Sequence, residues 1–396
     1  MSKLIRKMCC LCLAAIMMCL SLPVVSIQAE APVLISENAP TQSVDLGLNC
    51  KSAVLMEAST GEVLYQHNPT EAMPPASVTK IMTLLLVMEA IEAGKLSMDD
   101  LITASAHAAS MGGSQIYLKE GEQMTTRDMI KSVVISSAND AAVALAEHVS
   151  GSEEAFVDAM NKRAVELGMK NTRFENTNGL DDTAINHVTS ALDIAIMSRA
   201  LIEHKEILEY SSIWMDTIRN GAFGLTNTNR LVRFYRGCNG LKTGSTQKAG
   251  FCVSVTAERD GMTLICVIMG AESRDIRNAA ATRLLDWGFA NYGLYTCDGE
   301  ILDSMKVTGG KLMKIGISYP TFTCVMSKGD IPSVEKKISL PESIAAPVRC
   351  GEAVGEVIFT SHGNEIGRVA ISAAETSEKI SFLGVFQRIL AKFLLI

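Results

Sequence analysis

The apolar and polar positions of this chain change period several times. From residue 50, "CKSAVLMEASTGEVLYQHN" holds two short apolar runs around Ser59-Thr60-Gly61, the pattern of a β-hairpin. Pro74 and Pro75 then stop extended structure. From Val78 to Ala93 the chain lacks a polar face over Ile81 to Met88 and ends at Gly94, which predicts a helix buried on nearly all sides with Ser77 as its first residue. Between Arg127 and Leu201 the period is helical: "DMIKSVVISSANDAAVALAEHV", then "EEAFVDAMNKRAVELG", then "SALDIAIMSRALIEH", separated by Gly- and Asn-rich loops. "GFCVSVTAERDGMTLICVIMG" predicts a second hairpin around Arg259-Asp260-Gly261, and "RNAAATRLLDWGFANY" a helix after it. Strands, a helical block, strands and a closing helix imply an α+β layer structure in which remote segments share one sheet.

Beyond about Tyr295 the pattern shifts to short strand-like pieces, "KLMKIGIS", "TFTCVMS", "GEVIFT" and "EIGRVAIS", with Gly, Pro and Asp between them. They predict a separate small all-β domain over 296–375, after a main unit over 40–295. The last segment, 378–396, sets Phe382, Val385, Phe386, Ile389, Phe393 and Leu394 at helical spacing, with Gln387, Arg388 and Lys392 on part of the other face. Such a helix is too short and too amphipathic to span comfortably, so it is expected to lie in a membrane interface; docking on its own protein is the alternative.

The first thirty residues carry Lys3, Arg6 and Lys7, an apolar run from Met8 to about Val25, and small residues in "SIQAEA". This is the pattern of a secretory signal peptide, 1–29, with a retained membrane anchor as the rival reading. Either way the body is expected to be exported, to the outer face of the membrane or the cell wall. Four of the 11 cysteines fall in this leader. The odd seven that remain, with no Cys-x-x-Cys or Cys/His spacing, form neither a disulfide framework nor a zinc site, and buried structural thiols are expected, one or two disulfides being the alternative. With 396 residues, 48% hydrophobic and 20% charged, the chain has room for a large core. Its net charge of −7, with scattered positive residues, argues against a nucleic-acid partner.

Candidate chemistry starts at Ser77 and Lys80. A serine hydroxyl is a poor nucleophile until a neighbour takes its proton. Position i+3 on a helix faces the same side, and an ammonium in apolar surroundings loses hydration, which favours the free amine. Burial is therefore what would make Lys80 a base, and the helix N-terminus adds N–H groups for an oxyanion beside Ser77. Ser-x-x-Lys occurs three times, at Ser77, at Ser245 to Lys248 and at Ser333 to Lys336, so context must select one. Downstream stand Ser137-Ala138-Asn139 and the single Lys-Thr-Gly of the chain, Lys242-Thr243-Gly244. Ser36-Glu37-Asn38 also matches Ser-x-Asn, in a stretch that reads as linker. The ordered trio selects Ser77.

With these motifs the sequence resembles the penicillin-recognising serine enzymes, and more closely the low-molecular-weight penicillin-binding proteins, the serine-type D-alanyl-D-alanine carboxypeptidases. "AVLMEASTGEVLYQHN", "MGGSQIYLKEGEQMT", "ELGMKNTRFENTNGLDD" and "GLKTGSTQKAGFCVSV" extend the likeness over about residues 45 to 295. The resemblance implies a β-lactamase/transpeptidase-like catalytic domain, a small β domain and an amphipathic membrane helix. It implies Ser77 as the acylated nucleophile, Lys80 as its base and Ser137 as proton relay to the leaving amine. Asn139 would hold the substrate's peptide group, Lys242 and Thr243 its terminal carboxylate, and Gly244 would let substrate backbone approach. Ser77 and Ser245 would supply the oxyanion N–H groups, and Arg277 matches by position an arginine used near the carboxylate. The implied partners are peptidoglycan stem peptides and β-lactam antibiotics, with no cofactor. His187 is expected to cap a loop or lie at the surface, and Glu62, Glu120 and Glu122 to be solvated turn residues. Class A β-lactamases carry Glu-x-x-Leu-Asn; "FENTNGLDD" has Glu175 without the rest, so slow release of bound penicillin is expected. A β-lactamase and a noncatalytic wall-binding protein are the alternatives.

Overall fold

A computed structural model describes residues 44–181 and 184–394. The expected signal peptide and the Ser36-Glu37-Asn38 match lie outside the described residues. A five-stranded antiparallel sheet forms the centre of the main unit, from β1 (Ser52–Glu57), β2 (Val63–His67), β3 (Cys238–Thr246), β4 (Gly250–Arg259) and β5 (Met262–Ala271), in the order β2-β1-β5-β4-β3. Strands separated by more than two hundred residues are thus neighbours, as the two-hairpin pattern implied. β1 is buried at all six positions because both faces of the sheet are covered. On one face, helix α6 (Arg274–Asn291) sets Leu284, Leu285 and Phe289 against Leu55, Leu264 and Cys266.

The helical block covers the other face. It comprises α1 (Lys80–Glu92), α2 (Thr126–Ile135), α3 (Asn139–Ser150), α4 (Glu153–Glu166) and α5 (Ala191–Glu203). α1 runs through the interior with nine of its thirteen residues buried, which is why it has no polar face. A hydrogen bond of 2.8 Å between Ser198 and Ser254 hydroxyls ties α5 to β4. Two sequence expectations are corrected here. Ser77 does not open α1 but sits in a 3₁₀ turn, Ala76–Thr79, just before it. "DMIKSVVISSANDAAVALAEHV" is not one helix: the chain leaves α2 at Ser136 and restarts at Asn139, with Ser137 between them at φ +63°, a left-handed conformation no α-helix accepts.

Beyond α6, Tyr292–Cys297 pairs antiparallel with Phe322–Ser327, and Trp287 packs edge-on between Tyr65 and Tyr292. Six strands follow in one sheet: β6 (Glu300–Thr308), β7 (Lys314–Tyr319), β8 (Val334–Ser339), β9 (Ser343–Ala345), β10 (Ala353–Ser361) and β11 (Asn364–Ala373), ordered β8-β10-β11-β7-β6-β9. Their core is Ile315, Ile317, Val357, Phe359 and Ile371, with Phe322 stacked on Phe359 at 4.1 Å. The chain closes with helix α7 (Phe382–Phe393), whose Phe382, Phe386, Ile389 and Phe393 are all exposed, while Arg388 donates to the Gly310 and Lys311 carbonyls. No helix among the described residues is long and apolar enough to cross a membrane. The seven cysteines among the described residues are unpaired; Cys252 and Cys266 are buried, Cys350 is exposed and the other four are half-buried, so the buried-thiol expectation holds for two of them.

Candidate active site

The 3₁₀ turn carrying Ser77 lies where α1, β3 and the α2–α3 break meet. The Lys80 ammonium nitrogen is 2.9 Å from Ser77 Oγ and 2.7 Å from the Asn178 carbonyl, to which it donates. Lys80 is completely buried. Burial, reinforced by the charge of Lys242 and opposed by Asp140, holds its pKa well below the ordinary lysine value. A second buried lysine lies close by. Lys242 of β3 donates to Ser137 Oγ at 2.9 Å and to the Thr243 carbonyl at 2.9 Å; burial and the Arg277 charge bring its pKa down to about 7.

Asp140, at the start of α3, accepts from the N–H groups of Ile116 and Leu118, and Asn139 donates from its amide to the Gly112 carbonyl at 2.7 Å. These contacts fix the break that presents Ser137. Asn139 Oδ1 is buried and meets no partner among the described residues. Across the cleft, β3 is the sheet edge, and a Cβ at Gly244 would lie 2.8 Å from Ser77 N and from the Pro75 carbonyl. Only glycine lets the strand run that close to the Ser77 turn. Thr243 donates to Thr228 at 2.8 Å, and Ser245 is exposed at the rim.

The cleft between these elements has a volume of about 600 Å³. Ser77, Ser137, Thr243, Gly244, Ser245 and Arg277 line it, together with Ser114, Thr228, Arg230, Phe251, Arg274 and the aromatic pair Trp214 and Phe234. Arg277 is 3% exposed, donates to the Cys252 carbonyl, and burial followed by the Arg274 charge lowers its pKa to about 10. Six of the nine sequence-selected residues therefore line one cleft; Lys80 and Lys242 are buried behind its serines Ser77 and Ser137, to which they donate, and Asn139 opens α3 two residues after Ser137. The other two Ser-x-x-Lys matches lie elsewhere in chemistry: Lys248 is exposed, and Lys336 pairs with Glu300 and Tyr319.

Several expectations need correction. Of the two places expected for His187, the surface is corrected and the loop cap is found: the ring is buried, accepts from the Glu175 N–H at 3.0 Å and contacts Thr79 Oγ1 at 2.7 Å. Glu122 is paired with Arg219 at 2.7 Å, and Glu62 is half-buried, with its pKa raised by burial and by Glu57. Glu120 is exposed as expected. The Glu175 carboxylate accepts from Ile185 and Asn186 N–H groups and does not line the cleft. Sequence reasoning missed Thr79, Thr228, Asn178 and Gly179. The Asn-Gly pair was the available signal, since it marks a sharp backbone turn, and the turn carries the carbonyl that receives Lys80.

A buried-lysine serine centre between an all-helical block and an antiparallel sheet edge, followed by a small β domain, is the architecture of the penicillin-binding serine peptidases. Penicillin binding protein 5 from Haemophilus influenzae superposes with a TM-score of 0.75 at 29% identity, over 84% of this chain and 98% of that one. A penicillin-binding protein from Listeria monocytogenes in its ampicillin-bound form matches at TM-score 0.57 and 33% identity, over 61% of this chain and 98% of that one. Residues 36–273 match the D-alanyl-D-alanine carboxypeptidase family, and residues 295–379 match the C-terminal domain of penicillin-binding protein 5. D-alanyl-D-alanine carboxypeptidase DacF of Bacillus subtilis is 40% identical over 90% of this chain and 93% of its own length, and DacC of Escherichia coli is 32% identical over 90% and 91%. The chain belongs to the D-alanyl-D-alanine carboxypeptidase family of serine-type peptidases.

Proposed function

We propose that this chain removes the terminal D-alanine from peptidoglycan stem peptides ending in D-Ala-D-Ala, through an acyl-enzyme on Ser77. The observation that carries the reading is the buried Lys80 amine 2.9 Å from Ser77 Oγ. In its neutral form Lys80 takes the Ser77 proton as Oγ attacks the carbonyl carbon of the penultimate D-alanine. The N–H groups of Ser77 and Ser245 receive the oxyanion. Collapse breaks the peptide bond, and Ser137 passes a proton to the departing amine. Water then attacks the ester, Ser77 regains its proton, and the shortened peptide leaves.

Thr243 and Arg277 hold the terminal carboxylate, since a guanidinium forks onto both oxygens, and Lys242 supplies a proton path to Ser137 as well as positive charge. Asn139 keeps an acceptor for the substrate's peptide group. A β-lactam acylates the same serine because its strained amide mimics the scissile bond. None of the described residues lining the cleft is a carboxylate that could drive a deacylating water, so the penicilloyl ester turns over slowly.

The enzyme acts outside the cytoplasm, exported by its leader and held at the membrane surface by α7, whose exposed aromatic rings beside Arg388 suit a lipid interface. Incubation of the protein with a D-Ala-D-Ala pentapeptide tests the activity: free D-alanine is expected, and its loss by at least a thousandfold in Ser77→Ala. Covalent uptake of labelled penicillin by Ser77→Ala would overturn the assignment. Removal of residues 378–396 is expected to release the protein from vesicles, and unchanged retention with the leader cleaved would overturn the anchoring role of α7.

A further inference from the structure

A chain of buried hydrogen bonds joins Glu175 and His187 to the nucleophile's turn, and the acyl-transfer steps above leave it unused. His187 Nδ1 accepts from the Glu175 N–H at 3.0 Å. A ring nitrogen that accepts carries no proton, so the hydrogen of the neutral imidazole sits on Nε2. Nε2 lies 2.7 Å from Thr79 Oγ1 and donates to it, and the Thr79 hydroxyl donates to the Ala76 carbonyl at 2.8 Å. His187, Thr79 and Ala76 are all buried. Burial, aided by the Lys80 charge and opposed by Glu175, lowers the imidazole pKa to about 4, which keeps the ring neutral at the pH of catalysis.

The end of the chain matters because of what shares its peptide plane. Ala76 is held at φ +51°, a conformation that a residue with a side chain seldom adopts and that surrounding contacts must impose. The Ala76–Ser77 peptide is planar, with its C=O and N–H pointing in opposite directions from one rigid plate. Whatever fixes the Ala76 oxygen therefore aims the Ser77 N–H. Gly179 packs behind the same oxygen so closely that a Cβ there would come within 1.9 Å of it. Loop, hydroxyl and carbonyl form one support with the oxyanion donor on its far side.

We infer that His187 and Thr79 are positioning residues for acyl transfer, which aim the Ser77 N–H at the developing oxyanion by holding the Ala76 carbonyl. The inference rests on the reading of Ser77 as the acylated nucleophile. Thr79→Val keeps the shape of the side chain and removes both hydrogen bonds, whereas Thr79→Ser keeps the hydroxyl. Three quantities are measured for each variant and for His187→Ala: kcat and KM on a D-Ala-D-Ala peptide, affinity for a peptide boronic acid that becomes tetrahedral on Ser77, and affinity for the trimmed product peptide.

For Thr79→Val, kcat is expected to fall about 10- to 100-fold, boronate affinity to fall in parallel, and product affinity to stay within about twofold, because an oxyanion donor acts on the tetrahedral state alone. Thr79→Ser is expected to restore both within about threefold. Wild-type kcat and boronate affinity in Thr79→Val would overturn the inference, as would equal losses of boronate and product affinity, which mark a generally disturbed cleft. Should His187→Ala fail to fold, Thr79→Val decides alone. Labelled penicillin on the wild-type protein separates the two readings: label absent from Ser77 overturns the nucleophile assignment, whereas label on Ser77 with an unaffected Thr79→Val variant overturns the positioning role only.

Discussion

Lys80 and Lys242 are both buried, and each stands within hydrogen-bond distance of one serine hydroxyl of the cleft. Burial lowers both affinities for protons, aided at Lys80 by the charge of Lys242 and at Lys242 by that of Arg277, and this has a consequence for stability as well as for catalysis. Lys242 has a pKa of about 7 in the folded protein and the ordinary lysine value when unfolded. Between these limits the unfolded chain binds the extra proton, so this group's destabilisation is full below pH 7 and is relieved as the pH rises through that window. Lys242→Met is therefore expected to raise stability at pH 6 by about 1 kcal/mol while abolishing D-alanine release. The gain shrinks toward pH 9, which thermal denaturation at the two pH values would check.

At the level of elements, the site depends on backbone approaches that no side-chain motif encodes. Gly179→Ala would place a methyl group 1.9 Å from the Ala76 oxygen at φ +81°, and Gly244→Ala one 2.8 Å from the Ser77 nitrogen. The first is expected to cost about 3 kcal/mol or more in chemical denaturation and to abolish penicillin labelling. The second is expected to keep most of the stability and slow labelling at least about 100-fold, because it displaces an edge strand rather than a buried turn.

The sequence made α1, both hairpins of the sheet and the three motif segments around the cleft legible, since apolar periodicity and three ordered motifs report directly on burial and polar chemistry. It concealed the break between α2 and α3. "ISSAND" carries helix-compatible residues, and the left-handed Ser137 is imposed by Asp140 gripping a loop more than twenty residues away. The burial of His187, though not its place as a loop cap, was hidden for a related reason. A lone histidine in a polar loop gives no sign of burial until the loop is seen folded against the turn at Thr79.

For the molecule as a whole, charge is distributed against its average. The chain carries a net −7, yet Arg230, Arg274 and Arg277 line the cleft, and no carboxylate does so among the described residues. An anionic peptide is thereby drawn to a positive opening in a negative body, and KM for a stem peptide with a free terminal carboxylate is expected to rise about threefold or more between 50 and 500 mM salt. A substrate with an amidated C-terminus is expected to show little such dependence in the same titration.

The two tryptophans of the chain are also placed unequally: Trp214 stands in the wall of the cleft beside Phe234, while Trp287 is packed between two tyrosines on the far side of the sheet. Trp287→Phe would leave a single indole at the point of occupancy, an intrinsic optical gauge of acyl formation and decay. Its emission is expected to shift in stopped flow on mixing with a β-lactam and to recover at the pace of ester hydrolysis, with no slow recovery phase in the Ser77→Ala background.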